Sequence, residues 1–166
     1  MLFGKRILLI IGGGISAYRS LELIRLLRKR GCSVSTCLTE GGSNFVTPLS
    51  VSALAGEEVH QDLFDLTDEA EMGHIELSRA ADLVVVAPCT ADFMAKIANG
   101  FANDLASTLL LATDRPILLA PAMNVRMWNH PSTKRNYSTL MLDGAYFVGP
   151  NDGEMACGDF GEGRFE

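Results

Sequence analysis

The sequence predicts an α/β fold, a single doubly wound parallel sheet with helices on both faces, and three observations carry that prediction. Short, almost wholly apolar runs recur along the chain, segments of helical spacing separate them, and glycines or small polar residues follow each run. A strand covered on both faces needs apolar side chains on both of its sides. A parallel neighbour needs a crossover helix to bring the chain back to the same edge, and such crossovers are right-handed.

The elements follow in order. Arg6-Ile7-Leu8-Leu9-Ile10-Ile11 is the first buried strand, ended by Gly12-Gly13-Gly14. From Ile15 to Arg30, Leu21, Ile24 and Leu27 alternate with Glu22, Arg25 and Arg28 at helical spacing, and Gly31 is the stop. Ser33 to Leu38 reads as the second strand, and Thr47-Pro48 opens a short helix that Gly56 closes. Gly73 to Arg79 is a short helix leading into Asp82-Leu83-Val84-Val85-Val86-Ala87-Pro88, the clearest buried strand. Helices are expected at Ala91 to Ala98 and Asp104 to Thr113, then a strand at Pro116 to Pro121 and a last one at Ala145 to Val148. The alternation is that of a flavodoxin-like or Rossmann-like sheet. The glycine-rich segment Asn151 to Arg164 has little to pack and is expected to be a mobile flap unless a ligand orders it.

Composition narrows the function classes. At 166 residues and 48% hydrophobic, the chain has enough apolar surface for one core, so residues 1–166 are expected to form one domain. No apolar run approaches the roughly 20 residues of a membrane span. Met1 to Arg6 leads straight into a strand with no small-residue cleavage site, so a cytoplasmic protein is expected. Cys32, Cys37, Cys89 and Cys157 form no CxxC pair, and His60, His74 and His130 are dispersed, which suits reduced thiols and no metal site. A net charge of -6 argues against a nucleic-acid surface.

In such sheets ligands bind beyond the carboxyl ends of the strands. The residues there are Gly12-Gly13-Gly14, Thr39-Glu40-Gly41-Gly42, Pro88-Cys89-Thr90-Ala91, Pro121-Ala122-Met123-Asn124 and Gly149 to Gly153. Small side chains at these exits let backbone N–H groups approach a phosphate or a flat ring. Gly12-Gly13-Gly14-Ile15-Ser16-Ala17 satisfies GxGxxG/A between a strand and a helix, yet a tight turn without ligand also accounts for three glycines. Glu40 lies past the second strand's end, in a glycine-rich loop, so Thr39, Ser43 and Thr90 suit a mononucleotide without a ribose-reading carboxylate. His74 reads either as a capping or half-buried histidine or as a proton-transfer group. Arg79 reads as a surface charge. A core anchor explains Trp128 but not Asn124, whose amide is suited to donating to a substrate carboxylate. Cys157 is an inert thiol or, on a glycine-hinged flap, a proton donor.

Five ordered motifs, Gly13-Gly14-Ile15-Ser16-Ala17-Tyr18, Gly73-His74-Ile75-Glu76-Leu77, Ala87-Pro88-Cys89-Thr90-Ala91, Pro121-Ala122-Met123-Asn124-Val125-Arg126-Met127-Trp128 and Ala156-Cys157-Gly158 with Gly161-Glu162-Gly163-Arg164, are spread over nearly the whole chain. Together they resemble the homo-oligomeric flavin-containing cysteine decarboxylases. The resemblance implies FMN, lined by Gly13, Gly14, Ile15, Thr39, Glu40, Gly41, Thr90, Ala91, Asp92 and Ala122. It implies catalytic roles for His74 as base near the substrate thiol, Asn124 as the carboxylate amide and Cys157 as the flap cysteine. Substrate contacts are expected from Met123, Asn124, Ala156, Cys157 and Arg79.

The implied reaction oxidises the substrate thiol to a thioaldehyde and releases carbon dioxide. The resulting enethiolate is then protonated and reduced again, with 4'-phosphopantothenoylcysteine as the small-molecule substrate. The resemblance also implies a homotrimer or homododecamer, and bifunctional relatives run on past the position of Glu166 into a synthetase domain. The chain departs from the family pattern at Asp92, where Asn is usual, and at Gly14, where Ser is common. A peptidyl-cysteine decarboxylase would share the flavin and histidine but differ in the flap. A flavin prenyltransferase shares the fold without the His74 and Asn124 motifs. A non-catalytic FMN-binding regulatory subunit would be expected to lack the histidine or the flap cysteine, and the glycine motif alone also suits a NAD-dependent oxidoreductase.

Overall fold

A computed structural model of the chain describes residues 1–64, 70–154 and 157–164. In chain order the elements are β1 (Arg6–Ile11), α1 (Ala17–Lys29), β2 (Ser33–Leu38), α2 (Glu40–Ser43), α3 (Pro48–Ala55), α4 (Ala70–Ala80), β3 (Leu83–Cys89), α5 (Ala91–Asn99), α6 (Leu105–Ala112), β4 (Ile117–Pro121), α7 (Val125–Asn129), α8 (Pro131–Leu142), β5 (Tyr146–Phe147), β6 (Asn151–Glu154) and β7 (Phe160–Arg164). The first five strands form one parallel sheet in the order β2-β1-β3-β4-β5. The expected α/β class and parallel sheet are found. The chain leaves β1 toward β2 on one side and returns to β3 on the other, so the crevice between the carboxyl ends of β1 and β3 is where a ligand belongs.

β1 shows why these runs are strands. Leu8 and Ile10 face one core, Ile7, Leu9 and Ile11 face the other, and all five are at most 3% exposed. Burying each such side chain contributes roughly 1.5–3 kcal/mol, which sets the register of the sheet. The amino ends of β1 and β3 are tied reciprocally: the Arg6 N–H donates to the Asp82 carboxylate at 2.8 Å, and the Asp82 N–H donates to the Arg6 carbonyl at 2.7 Å.

The two faces are covered unequally. On one, α1 and α3 pack through Ala17, Ile24, Val51 and Ala55. On the other, α4, α5, α6, α7 and α8 pack through Leu77, Met94, Leu109, Trp128 and Leu140. The α1 face of β3 and β4 is left as an apolar groove of about 440 Å³, floored by Leu83, Val85, Ala87, Leu118 and Ala120 and walled by Leu23, Leu26 and Leu27.

The local signals worked where they were chemical. Thr47 accepts from the Ser50 N–H, and Gly56, at φ 80°, ends α3, as expected. α8 has no counterpart among the expected elements: its apolar stripe is faint, but Pro131 sits at its start and His130 Nδ1 accepts from the Ser132 N–H at 3.1 Å. Within the expected flap, β6 and β7 pair antiparallel as a ribbon. Gly161 and Gly163, at φ 151° and 147°, hold a backbone shape that suits glycine. No helix among the described residues is long and apolar enough to cross a membrane.

Candidate active site at the carboxyl edge of the sheet

The strand exits are closed against one another by backbone. The Gly12 N–H donates to the Pro88 carbonyl at 3.2 Å, joining the ends of β1 and β3. A Cβ on Gly12 would collide with that carbonyl oxygen, one on Gly13 would sit 2.8 Å from the Gly41 carbonyl carbon, and one on Gly42 would sit 2.6 Å from the Ile11 oxygen. The edge is therefore a cradle of main-chain groups into which the amino ends of α1 and α5 also open, suited to an anionic, flat ligand.

The expected hydroxyls differ in their hydrogen bonds. Thr39 Oγ1 donates to the Ile11 carbonyl at 3.2 Å and accepts from the Gly42 N–H at 2.9 Å, so it holds the loop in shape. Ser43 Oγ donates to the Glu40 carbonyl at 2.6 Å. Thr90 Oγ1 accepts from the Phe93 N–H at 3.1 Å, capping α5 and leaving its own O–H to donate outward. Ser16 at the start of α1 makes no side-chain cap bond and lines the neighbouring cavity; its place at a helix start in the glycine motif was the signal for it. Glu40, in the first turn of α2, is exposed. Asp92 pairs with Lys96 at 3.6 Å, and its side chain is 80% exposed.

A cavity of about 510 Å³ opens beside this cradle, bounded by Gly14, Ile15 and Ser16, by Ala122 and Met123, and by Glu154, Gly163 and Arg164 of the ribbon. The structure thus joins three motifs that are far apart in sequence. Tyr18, Arg19, Glu154 and Arg164 also line it; Glu154 and Arg164 fall in the expected flap, Tyr18 in the glycine motif, and Arg19 alone carried no signal in the sequence. The ribbon is docked on the exit of β4: the Met123 N–H donates to the Gly163 carbonyl at 2.9 Å. Asn124 is the N-cap of α7, with Oδ1 accepting from the Met127 N–H at 2.8 Å. That bond orients the amide and leaves its N–H₂ group available as a donor. Trp128 is buried, edge-on to Tyr137 with ring centroids 5.3 Å apart, so it is a core anchor.

Cys157 is exposed at the ribbon's turn, whereas Cys32, Cys37 and Cys89 are buried. Burial pushes the Cys89 thiol up to about 12, and burial followed by the nearby Asp104 carboxylate raises Cys37 further. Neither buried thiol is suited to proton transfer at neutral pH. Ala156 lies outside the described residues. His74 is half-buried on α4, on the face opposite α1, and does not line the cavity within one chain. Arg79, in the last turn of α4, is exposed near the amino edge of the sheet, where its carbonyl accepts from Arg115 at 3.2 Å. The helix runs antiparallel to the strands, so a single chain does not carry Arg79 to the site.

This fold and edge are those of a nucleotide-binding α/β protein. Residues 1–166 match the model of the Flavoprotein family, and the chain belongs to that family. It is 50% identical over 161 residues to the coenzyme A biosynthesis bifunctional protein CoaBC of Haemophilus influenzae, covering 97% of this chain and 40% of that protein. The corresponding protein of Bacillus subtilis is 43% identical over 166 residues, covering 100% of this chain and 41% of that one. Among solved structures, a Cys-to-Ser mutant of PPC decarboxylase complexed with pantothenoylaminoethenethiol is 31% identical with a TM-score of 0.83, over 98% of this chain and 91% of that one. The FMN-dependent cysteine decarboxylase SpaF is 29% identical with a TM-score of 0.87, over 100% and 93%.

Proposed function

We propose that this chain decarboxylates 4'-phosphopantothenoylcysteine to 4'-phosphopantetheine with bound FMN, as a step of coenzyme A synthesis. The observation that carries the reading is the docking of the Cys157 ribbon on the Met123–Asn124 exit beside a backbone cradle. Likeness to CoaBC and to PPC decarboxylase supports it.

The cradle fits the cofactor. Gly13 and Gly14 leave room for a flat ring, Thr90 and Ser16 carry hydroxyls able to donate to its phosphate, and Thr39, Glu40, Gly41, Ser43, Ala91 and Ala122 shape the walls. Asp92 stands beside it without an N–H to donate. FMN supplies a reversible two-electron sink, without which loss of carbon dioxide would leave an unstabilised carbanion. The amide of Asn124 holds the substrate carboxylate, and Met123 gives the carboxylate an apolar wall that favours its departure as neutral gas. Cys157, the exposed thiol, gives the proton that the enethiolate takes up. His74 accepts the substrate thiol proton.

Because His74 and Arg79 lie away from the cavity of their own chain, a neighbouring copy brings them to it. The apolar groove over β3 and β4 is the surface that such a copy covers, in a homotrimer or a dodecamer built of trimers. A fused phosphopantothenoylcysteine synthetase domain accords with the relatives, of whose length this chain spans about 40%.

Incubating the FMN-loaded protein with phosphopantothenoylcysteine, or with a peptide ending in cysteine, and following both by mass spectrometry tests the reading. Loss of carbon dioxide from the first alone is expected; loss from the peptide alone overturns the substrate. Cys157→Ser is expected to release carbon dioxide while the enethiol accumulates, and full turnover would remove Cys157 from the mechanism. His74→Asn is expected to keep FMN and lose decarboxylation.

A further inference from the structure

The ribbon meets α7 residue by residue. Gly163 accepts from the Met123 N–H at 2.9 Å, and Gly161 lies so close to Val125 that a Cβ there would come within 2.8 Å of the valine methyl. Between these two glycines, Glu162 Oε2 accepts from Trp128 Nε1 at 3.3 Å. Lys134 Nζ lies over the same indole, 4.2 Å from the ring centroid. The indole therefore sits between an ammonium on its face and a carboxylate at its edge, while Tyr137, itself packed on Phe147, meets it edge to face.

Glycine contacts give a ribbon shape but no chemical grip. A charge-assisted hydrogen bond gives the grip, and here it ends on a residue that cannot move without disturbing the core. Asn124, which caps the same helix, is four residues from Trp128, so the latch and the carboxylate amide share one rigid turn.

We propose that Trp128 and Glu162 form a latch that holds the ribbon closed over the site, both acting as positioning residues for Asn124 and Cys157. The latch rests on the proposed decarboxylation only for its kinetic readout. Removing the carboxylate makes substrate binding order a ribbon that the free protein already orders, so the cost falls on KM and not on the chemical step.

The test uses the FMN-loaded protein and its E162A and E162Q variants, both surface changes that leave the core intact. E162A is expected to raise KM for phosphopantothenoylcysteine about tenfold with kcat within twofold. E162Q, which keeps an acceptor oxygen but not its charge, is expected to raise KM about threefold, between wild type and E162A. Trp128 is the chain's single tryptophan, so its emission reports the latch directly: E162A is expected to shift it to the red and E162Q to leave it in place. An E162A enzyme with the wild-type KM overturns the latch. If the wild-type protein leaves phosphopantothenoylcysteine untouched, the functional reading fails, and unchanged Trp128 emission in E162A then overturns the latch by itself.

Discussion

Single residues divide here into those that titrate and those that are kept from titrating. Asp82 belongs to the first kind: the hydrogen bond from the Arg6 backbone N–H, followed by the Arg6, Lys5 and Arg115 charges, holds its carboxyl below the ordinary range despite some desolvation. A carboxyl lowered in the folded state stabilises the fold above its unfolded pKa, and the contribution is lost as pH falls through the folded value. Asp82→Asn is therefore expected to lower the melting temperature at neutral pH. The difference from wild type should close once the Asp82 carboxyl is protonated in the folded as well as the unfolded state, as a series of melts at falling pH would show. The buried thiols belong to the second kind. At pH 8 a maleimide should label Cys157 rapidly and Cys32, Cys37 and Cys89 only as fast as the chain unfolds, a pattern that peptide mapping reads directly.

At the scale of an element, α7 carries two duties through one side chain, and substitution can part them. Asn124→Asp keeps an oxygen to cap the Met127 N–H but loses the donor, so the melting temperature should hold while decarboxylation falls at least a hundredfold. Asn124→Ala loses both and should also destabilise by about 1 kcal/mol, a few degrees in a differential scanning measurement. The sequence made this residue visible as an amide at a strand exit but not as a cap, because a five-residue helix has no periodicity to find. α8 was missed for a related reason: Ser132, Thr133, Asn136 and Ser138 dilute its pattern, and its start was marked only by Pro131. The ribbon's pairing was not legible within residues 151–164, because it docks through Met123, Val125 and Trp128, residues distant in sequence.

For the whole molecule, the parallel sheet and the glycine-rich strand exits were legible, since buried parallel strands and glycine exits are local patterns; the strand order was not. The placement of His74 and Arg79 was not, since it depends on the face and direction of α4. The unequal covering of the sheet was also hidden, because alternating strands and helices do not say which face each helix takes. Its consequence is measurable: a face floored by Leu83, Val85 and Leu118 should make the melting temperature rise with protein concentration, as mass action requires when copies cover it. Val148→Asp at the groove's rim should shift the protein toward monomer in sedimentation and reduce FMN retention. The tight strand exits have a consequence of another kind. At Gly12, Gly13 and Gly42 the space for a first side-chain carbon is already filled by the main chain of a neighbouring loop, whereas at Gly100 and Gly144 that space is open and only the left-handed backbone, at φ 73° and 93°, disfavours a side chain. In a saturation mutagenesis scan, the first three positions should therefore stand out as almost wholly intolerant. A map of tolerated substitutions would then draw the outline of the cradle from growth alone, without any ligand being seen.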